Sequence, residues 1–385
     1  MSDHLGTMVT PTNLTTISDP FQGPDIVLVI VLSLIALCGA FGNALVVVAI
    51  YKTRALHTVT NYFIVSLACA DLFVSTCIMP FAVVTQSLNG RWLFGQVFCS
   101  IWSSLDILCC TASTLNLCAV SVDRYIAITS PLKYHISMTR GRALAIICVV
   151  WLFSMFLATT QLIWKQIIGQ TSEVMPGFEI CPYALDKTFR MYAASSSFFI
   201  PLTIVIILYA RIFRVAYKQA RQINATHDQL QTSHPSRSQI GRQESIANGN
   251  NNAPSNTLSN QLRKASRMSM EFGIASREVY PHRQSRETKA FKTVAAVLGA
   301  FIICWIPFAV TFVVEAYCSK CNLPVKMMDT FLWLGYVNSV VNPIIYAFFN
   351  RTFRTSFIRV LGLQSRTSCC GHTFDEDDYR STMMA

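Results

Sequence analysis

Charge is scarce in this chain. Only 13% of its 385 residues are Asp, Glu, Lys or Arg, against 52% that are hydrophobic. Soluble domains carry about 25% charged residues, so an ordinary soluble fold is excluded, and the mean hydropathy of +0.41 argues the same way. Residues 1–24 contain no Lys or Arg and no basic start before a short apolar core, which excludes a cleavable secretory signal there. The net charge of +11 is split among loops between apolar runs, so no nucleic-acid patch is expected. Histidine is thin as well. The seven histidines, among them His4, His57, His135, His227, His282 and His372, lie in tails and loops. A metal-dependent or nucleophilic enzyme needs such groups clustered, so no enzyme is expected. Paired, interrupted spans in two inverted halves, the mark of a transporter, are missing too.

Long apolar runs are abundant. Seven fall near 26–50, 61–85, 99–122, 143–164, 189–213, 293–318 and 329–349. Each is long enough to cross a bilayer core of about 30 Å. The expected fold class is an all-α membrane protein, a seven-transmembrane helix bundle. Six of the 31 basic residues (Arg91, Lys165, Lys187, Arg190, Lys320 and Lys326) fall on the side that an outside N-terminus defines. The rest fall on the other side, and the positive-inside rule then sets N-out, C-in.

The segments follow from this topology. Residues 1–24 form an extracellular tail, 25–221 hold the first five spans, and 286–349 hold the last two. Residues 222–285 are rich in Asn, Gln, Ser and Arg and read as a disordered third cytoplasmic loop. There Ser266 and Ser269 follow basic residues, as basophilic kinases prefer. Residues 350–385 form an amphipathic stretch and a tail. Phe349, Phe353, Phe357 and Val360 share one face of it, with arginines around them, which predicts a short eighth helix on the inner leaflet. Asn13 lies in an outer sequon; the Asn224 and Asn350 sequons lie inside and are expected to be silent.

Most of the fourteen cysteines sit within spans as small packing residues. Cys99 opens the third span and Cys181 lies in the loop before the fifth. A bridge between them would pin that loop over the third span, in an oxidising compartment. Cys318 and Cys321 are candidates for a second, small bridge. Cys369 and Cys370 follow the amphipathic stretch and are read either as palmitoylation sites or as free tail thiols.

Two acidic residues lie deep inside spans, Asp71 and Asp106. A carboxylate there costs about 2.5–3.5 kcal/mol on insertion scales, so each marks a functional site. Asp106 lies 18 residues before Arg124. That is five helical turns, which puts both on one face, about 27 Å apart. One helix face thus carries an anion near one membrane surface and a cation near the other. No basic residue lies deep in another span to neutralise Asp106, so a cationic ligand is its expected partner.

Short motifs sit one to a span: Gly42-Asn43, the LACAD run ending at Asp71, Asp123-Arg124-Tyr125, Trp151, Pro201 with Tyr209, the CWIP run Cys304–Pro307, and the NPIIY run Asn342–Tyr346. In that order they resemble the rhodopsin-like (class A) G-protein-coupled receptors over about 1–222 and 286–370. Asp106 and the WLGY run Trp333–Tyr336 resemble the aminergic branch. The resemblance implies a receptor for a biogenic monoamine that activates a heterotrimeric G protein. Arrestin and receptor kinases are expected partners, besides the lipid bilayer.

The resemblance also implies site residues. Asp106 would bind the protonated amine, steadied by Tyr336. Ile107, Cys110, Ser197, Trp305, Phe308, Ala309, Phe312 and Trp333 would form the rest of the pocket. Asp71, with Asn43, Ser113, Asn338, Ser339 and Asn342, would hold an allosteric sodium ion, and no other cofactor is expected. Arg124 and Tyr125 would face the G protein, with Arg124 paired to Asp123 and Glu287 at rest. Pro307 would kink the sixth helix, and Asn342, Pro343, Tyr346 and Tyr209 would serve the switch.

Some positions depart from the branch. Ala193 and Ala194 stand where catechol-binding serines are placed, and Ala309 replaces a Phe. This disfavours dopamine and adrenaline and leaves serotonin, histamine or a phenolic or trace amine. The run ARIFRVAYKQARQI after the fifth span resembles receptors that couple to stimulatory G protein and raise cyclic AMP. An opsin is excluded because residues 329–349 contain no lysine. The alternative is an orphan, peptide-type or constitutively active class A receptor.

Overall fold

The computed structural model describes residues 25–168, 181, 187–233, 293–318, 321 and 323–363. Asn13, Ser266, Ser269, Glu287, Cys369 and Cys370 lie outside the described residues. Seven helices are long and apolar enough to cross a membrane: Ile26–Lys52, Val59–Ser87, Gly95–Thr129, Arg140–Trp164, Lys187–Val215, Thr293–Tyr317 and Lys326–Phe349. They coincide with the seven apolar runs, and no strand occurs among the described residues. The chain is a multi-pass membrane protein.

The third span is the hub. It is buried along its length, from Cys99 to Asp123, and packs against the second, fourth and fifth spans. Polar side chains face inward: Asn43, Asp71, Asn116, Asn338 and Asn342 are all buried. Large apolar side chains such as Leu37, Phe41, Leu152, Phe156, Ile204 and Ile303 face outward. This suits helices in lipid, where tight packing and interhelical hydrogen bonds hold the bundle rather than a hydrophobic drive between helices.

Among the described residues, close packing needs small residues at several crossings, those of Gly39, Gly42 and Gly335 among them. A Cβ on Gly42 would come within 3.0 Å of the Pro343 ring, and one on Gly335 within 3.0 Å of the Trp305 ring. Asn43 fastens the Gly42 crossing by donating to the Ser339 carbonyl at 2.8 Å and the Gly39 carbonyl at 2.9 Å. Trp151 donates to Ser66 at 3.0 Å and ties the fourth span to the second.

Two wide turns interrupt the helices. Val74–Ile78 and Ser195–Phe199 are single π-helical turns, each just before a proline, Pro80 or Pro201. Proline has no N–H to donate, and the wider turn absorbs the break while rotating the residues around it.

Two boundaries differ from expectation. The fifth helix continues to Ser233, past residue 222 where the loop was expected to begin. Phe349 ends the seventh span, half-exposed, instead of opening the eighth helix. Asn350 is the corner: its side chain accepts from the N–H groups of Thr352 and Phe353 at 3.1 and 3.4 Å, capping helix Arg351–Val360. A cap satisfies otherwise orphaned N–H groups, so the helix starts one residue after it. The eighth helix also packs on protein: Phe353 is fully buried, stacked 5.3 Å from Tyr346, in a cluster with Val46, Ala49 and Leu56.

Candidate functional site

At the Asp106 end, the third, fifth, sixth and seventh spans enclose a cavity that opens at its mouth. Asp106, Ile107 and Cys110 line it from the third span, Ser197 from the fifth, and Trp305, Phe308, Ala309 and Phe312 from the sixth. The spacing that brings the first group together is helical: residues one turn apart share a face.

Asp106 is 5% exposed. Its Oδ2 accepts from the Tyr336 hydroxyl at 3.2 Å and its Oδ1 from the Cys110 thiol at 3.4 Å. Both donors are neutral. Trp333 does not line the cavity, contrary to expectation. It packs edge-on to Tyr336, with centroids 5.4 Å apart, in a cluster with Trp92 and Trp102. Its neighbour Leu332 takes the lining position, because successive helical residues point about 100° apart.

The far end of the cavity is mostly apolar, with hydroxyls from Thr111, Thr114 and Ser197. Ala193 and Ala194 line it. Ser196 turns back onto the Tyr192 carbonyl at 2.6 Å. Ser197 accepts from Thr111 at 3.0 Å, which leaves its own hydroxyl hydrogen free to donate. Phe312 stacks on Phe308 at 5.5 Å, and Phe308 meets Trp305 edge-on at 6.0 Å. The sequence reading missed Thr111, Thr114, Phe189, Phe198 and Leu332 on the lining. Thr114 was findable, since Asp106, Cys110 and Thr114 repeat every four residues. Phe189 was hidden by the π turn between it and Pro201.

Cys99 and Cys181 form a disulfide, with Cα atoms 5.6 Å apart, and Cys318 and Cys321 form another, at 5.3 Å. The first bridge fixes Cys181 to the start of the third span. The second closes a short loop after the sixth.

In mid-bundle, Asp71 is 1% exposed. It accepts from Asn342 at 2.7 Å, Ser339 at 2.9 Å and Ser113 at 3.3 Å. The amide oxygens of Asn43, Asn338 and Asn342 are buried there without a hydrogen-bond partner. Buried polar atoms are normally satisfied. A carboxylate, two hydroxyls and orphaned amide oxygens are the hard donor set that fits a small cation.

At the Arg124 end, Arg124 pairs with Asp123 at 2.6 Å and donates to Thr60. Tyr134, on the short helix Pro131–Ser137, donates to Asp123 at 2.8 Å and accepts from Arg124 at 3.4 Å. Burial, reinforced by nearby Asp123, pushes the Tyr134 phenol up from its ordinary value, so it stays a donor. Sequence reasoning named neither Thr60 nor Tyr134. Tyr125 is half-buried beside this cluster. Tyr209 faces Ser121 one turn away, and Tyr346 is held by Phe353.

A seven-helix membrane bundle with a carboxylate-lined cavity at one end and a clamped arginine at the other is built as a transmembrane receptor. Its sequence matches the family described as 7 transmembrane receptor (rhodopsin family) over residues 42–346. It is 38% identical to 5-hydroxytryptamine receptor 1D of Cavia porcellus, over 88% of this chain and 89% of that one. It is 34% identical to octopamine receptor beta-2R of Chilo suppressalis, over 90% and 82%. It is also 34% identical to the alpha-1A adrenergic receptor of Oryctolagus cuniculus, over 88% and 68%. The chain therefore belongs to the rhodopsin-like (class A) G-protein-coupled receptors, in their aminergic branch, and is a receptor rather than an enzyme.

Proposed function

We propose that this receptor binds a protonated aromatic monoamine through Asp106 and passes the signal to a heterotrimeric G protein at the Arg124 end. The observation that carries this reading is the Asp106 carboxylate, nearly buried on the cavity wall and held by neutral donors. An ammonium there forms a partly desolvated ion pair, far stronger than one in water. The Trp305 and Phe308 rings offer stacking and cation–π contact, with Phe312 stacked behind Phe308. At the far end Ser197 provides a hydroxyl contact, whereas Ala193 and Ala194 provide none. A ring with a single hydroxyl, as on 5-hydroxytryptamine or octopamine, matches that wall better than a catechol.

The receptor sits in the plasma membrane with its N-terminus outside. Asn13 carries glycan and Cys369 and Cys370 carry acyl chains on that topology. Arg124 is held at rest by Asp123, Thr60 and Tyr134. An agonist shifts the population only as far as it prefers the open form, and the G protein is reciprocally coupled to it. The stimulatory class is the one the fifth-span exit resembles. Asp71, Ser113, Ser339, Asn338 and Asn342 would hold a sodium ion, which when bound supplies charge balance to the buried carboxylate.

The test is a screen of biogenic amines on cells expressing the chain, reading cyclic AMP in both directions and calcium. Asp106→Ala is expected to lower potency of the responding amine by at least about a hundredfold, as for loss of a buried charge partner. A strong amine response that survives this substitution overturns the reading.

A further inference from the structure

The fifth and sixth spans are tied together at the cavity mouth by groups outside the amine chemistry. Arg190 Nη1 donates to Glu315 Oε2 at 2.8 Å. The same guanidinium lies over the Phe312 ring, 5.3 Å from its centroid. Close by, the Tyr317 hydroxyl donates to the Lys187 carbonyl at 3.4 Å, a second tie between the same two helix ends. Phe312 stacks on Phe308, and Phe308 meets Trp305. A cation thus caps an aromatic column that forms one wall of the cavity. The Arg190 side chain is 18% exposed and that of Glu315 43%, so the pair sits at the water boundary.

We propose that Arg190 is a positioning residue for this wall: latched to Glu315 and stacked on Phe312, it holds the mouth between the fifth and sixth spans and sets how fast ammonium compounds reach and leave Asp106. The inference rests on the amine reading of Asp106. An ion pair this exposed is weak by itself. Here the guanidinium has a second hold on the aromatic face, and its planar shape serves both contacts at once. Removing Glu315 breaks one hold; removing Arg190 breaks both.

Cys110 lines the cavity 3.4 Å from Asp106, so its thiol reports entry directly. Purified full-length receptor is treated with 2-aminoethyl methanethiosulfonate, a small ammonium reagent that joins its sulfur to a thiol and releases methanesulfinate. Mixed-disulfide formation at Cys110 is followed by mass spectrometry, with Cys110→Ser as the blank. Glu315→Ala is expected to speed labelling about threefold and Arg190→Ala about tenfold. The double variant should be no faster than Arg190→Ala, because both act through one latch. Arg190→Lys keeps the charge, loses the planar stack and falls between. Equal rates across the series overturn the proposal, and so does a double variant whose rate is the product of the two singles. Asp106→Asn forms a separate arm. Because Asp106 also holds the Cys110 thiol, the arm is read as a ratio: labelling by the ammonium reagent should fall relative to neutral methyl methanethiosulfonate, and an unchanged ratio would sink the amine reading while leaving the latch result standing.

Discussion

A hydroxyl 3.2 Å from a buried carboxylate fixes the direction of Asp106. Tyr336 is fully buried, and Trp333 stands edge-on against its ring, so the donor cannot swing away. Tyr336→Phe keeps the ring and removes the donor. Hydrogen bonds to charged groups contribute about 1.5–3 kcal/mol, so amine affinity should fall about tenfold to a hundredfold with surface expression unchanged. Radioligand saturation on the responding amine checks this; a loss under about twofold would remove Tyr336 from the site. Asp106 and Tyr336 were legible in the sequence, one as a costly charge in an apolar run and the other from the WLGY resemblance. The direction of Trp333 was not, because a motif gives the residue but not the rotation of its helix. Nor was the pairing of Ser197 with Thr111, which depends on the π turn at Ser195–Phe199.

At the scale of elements, the spans are shaped by what they cannot contain. Prolines at 80 and 201 widen the turns before them, and glycines at 42 and 335 leave room for Pro343 and Trp305. Gly42→Ala places a methyl 3.0 Å from the Pro343 ring, tighter than ordinary contact. Overpacking of this kind costs about 1–3 kcal/mol. The thermal unfolding midpoint in detergent should therefore drop by several degrees, about 2–4 °C per kcal/mol at this size; an unchanged midpoint would mean that the two helices separate freely. The spans themselves were readable, since a bilayer demands about 20 apolar residues. Their ends were less so. Phe349 was assigned to the eighth helix because amphipathic periodicity continues through it, whereas the Asn350 cap sets the true start. The fifth helix overran its expected end because polar residues are compatible with helix once it leaves the membrane.

Across the whole molecule, three polar centres lie along one axis: Asp106 in the cavity, Asp71 in mid-bundle and the Arg124 clamp at the other end. Asp71 joins the second, third and seventh spans through Ser113, Ser339 and Asn342. The proposed sodium ion would join the same three spans and so favour their resting packing. Agonist affinity should therefore be lower in sodium chloride than in a bulky organic chloride of equal ionic strength, and Asp71→Asn should abolish the difference. Sodium sensitivity that persists in this variant would place the ion elsewhere. By itself the sequence determined the seven spans, the two buried carboxylates and the family, because a hydrocarbon solvent tolerates few charges and makes each one conspicuous. Only the tertiary structure decided that Thr60 and Tyr134 share the Arg124 clamp, that Trp333 backs Tyr336, and that Arg190 meets both Glu315 and Phe312. Those are contacts between separate helices, fixed by rotation and packing rather than by the pattern along any one of them.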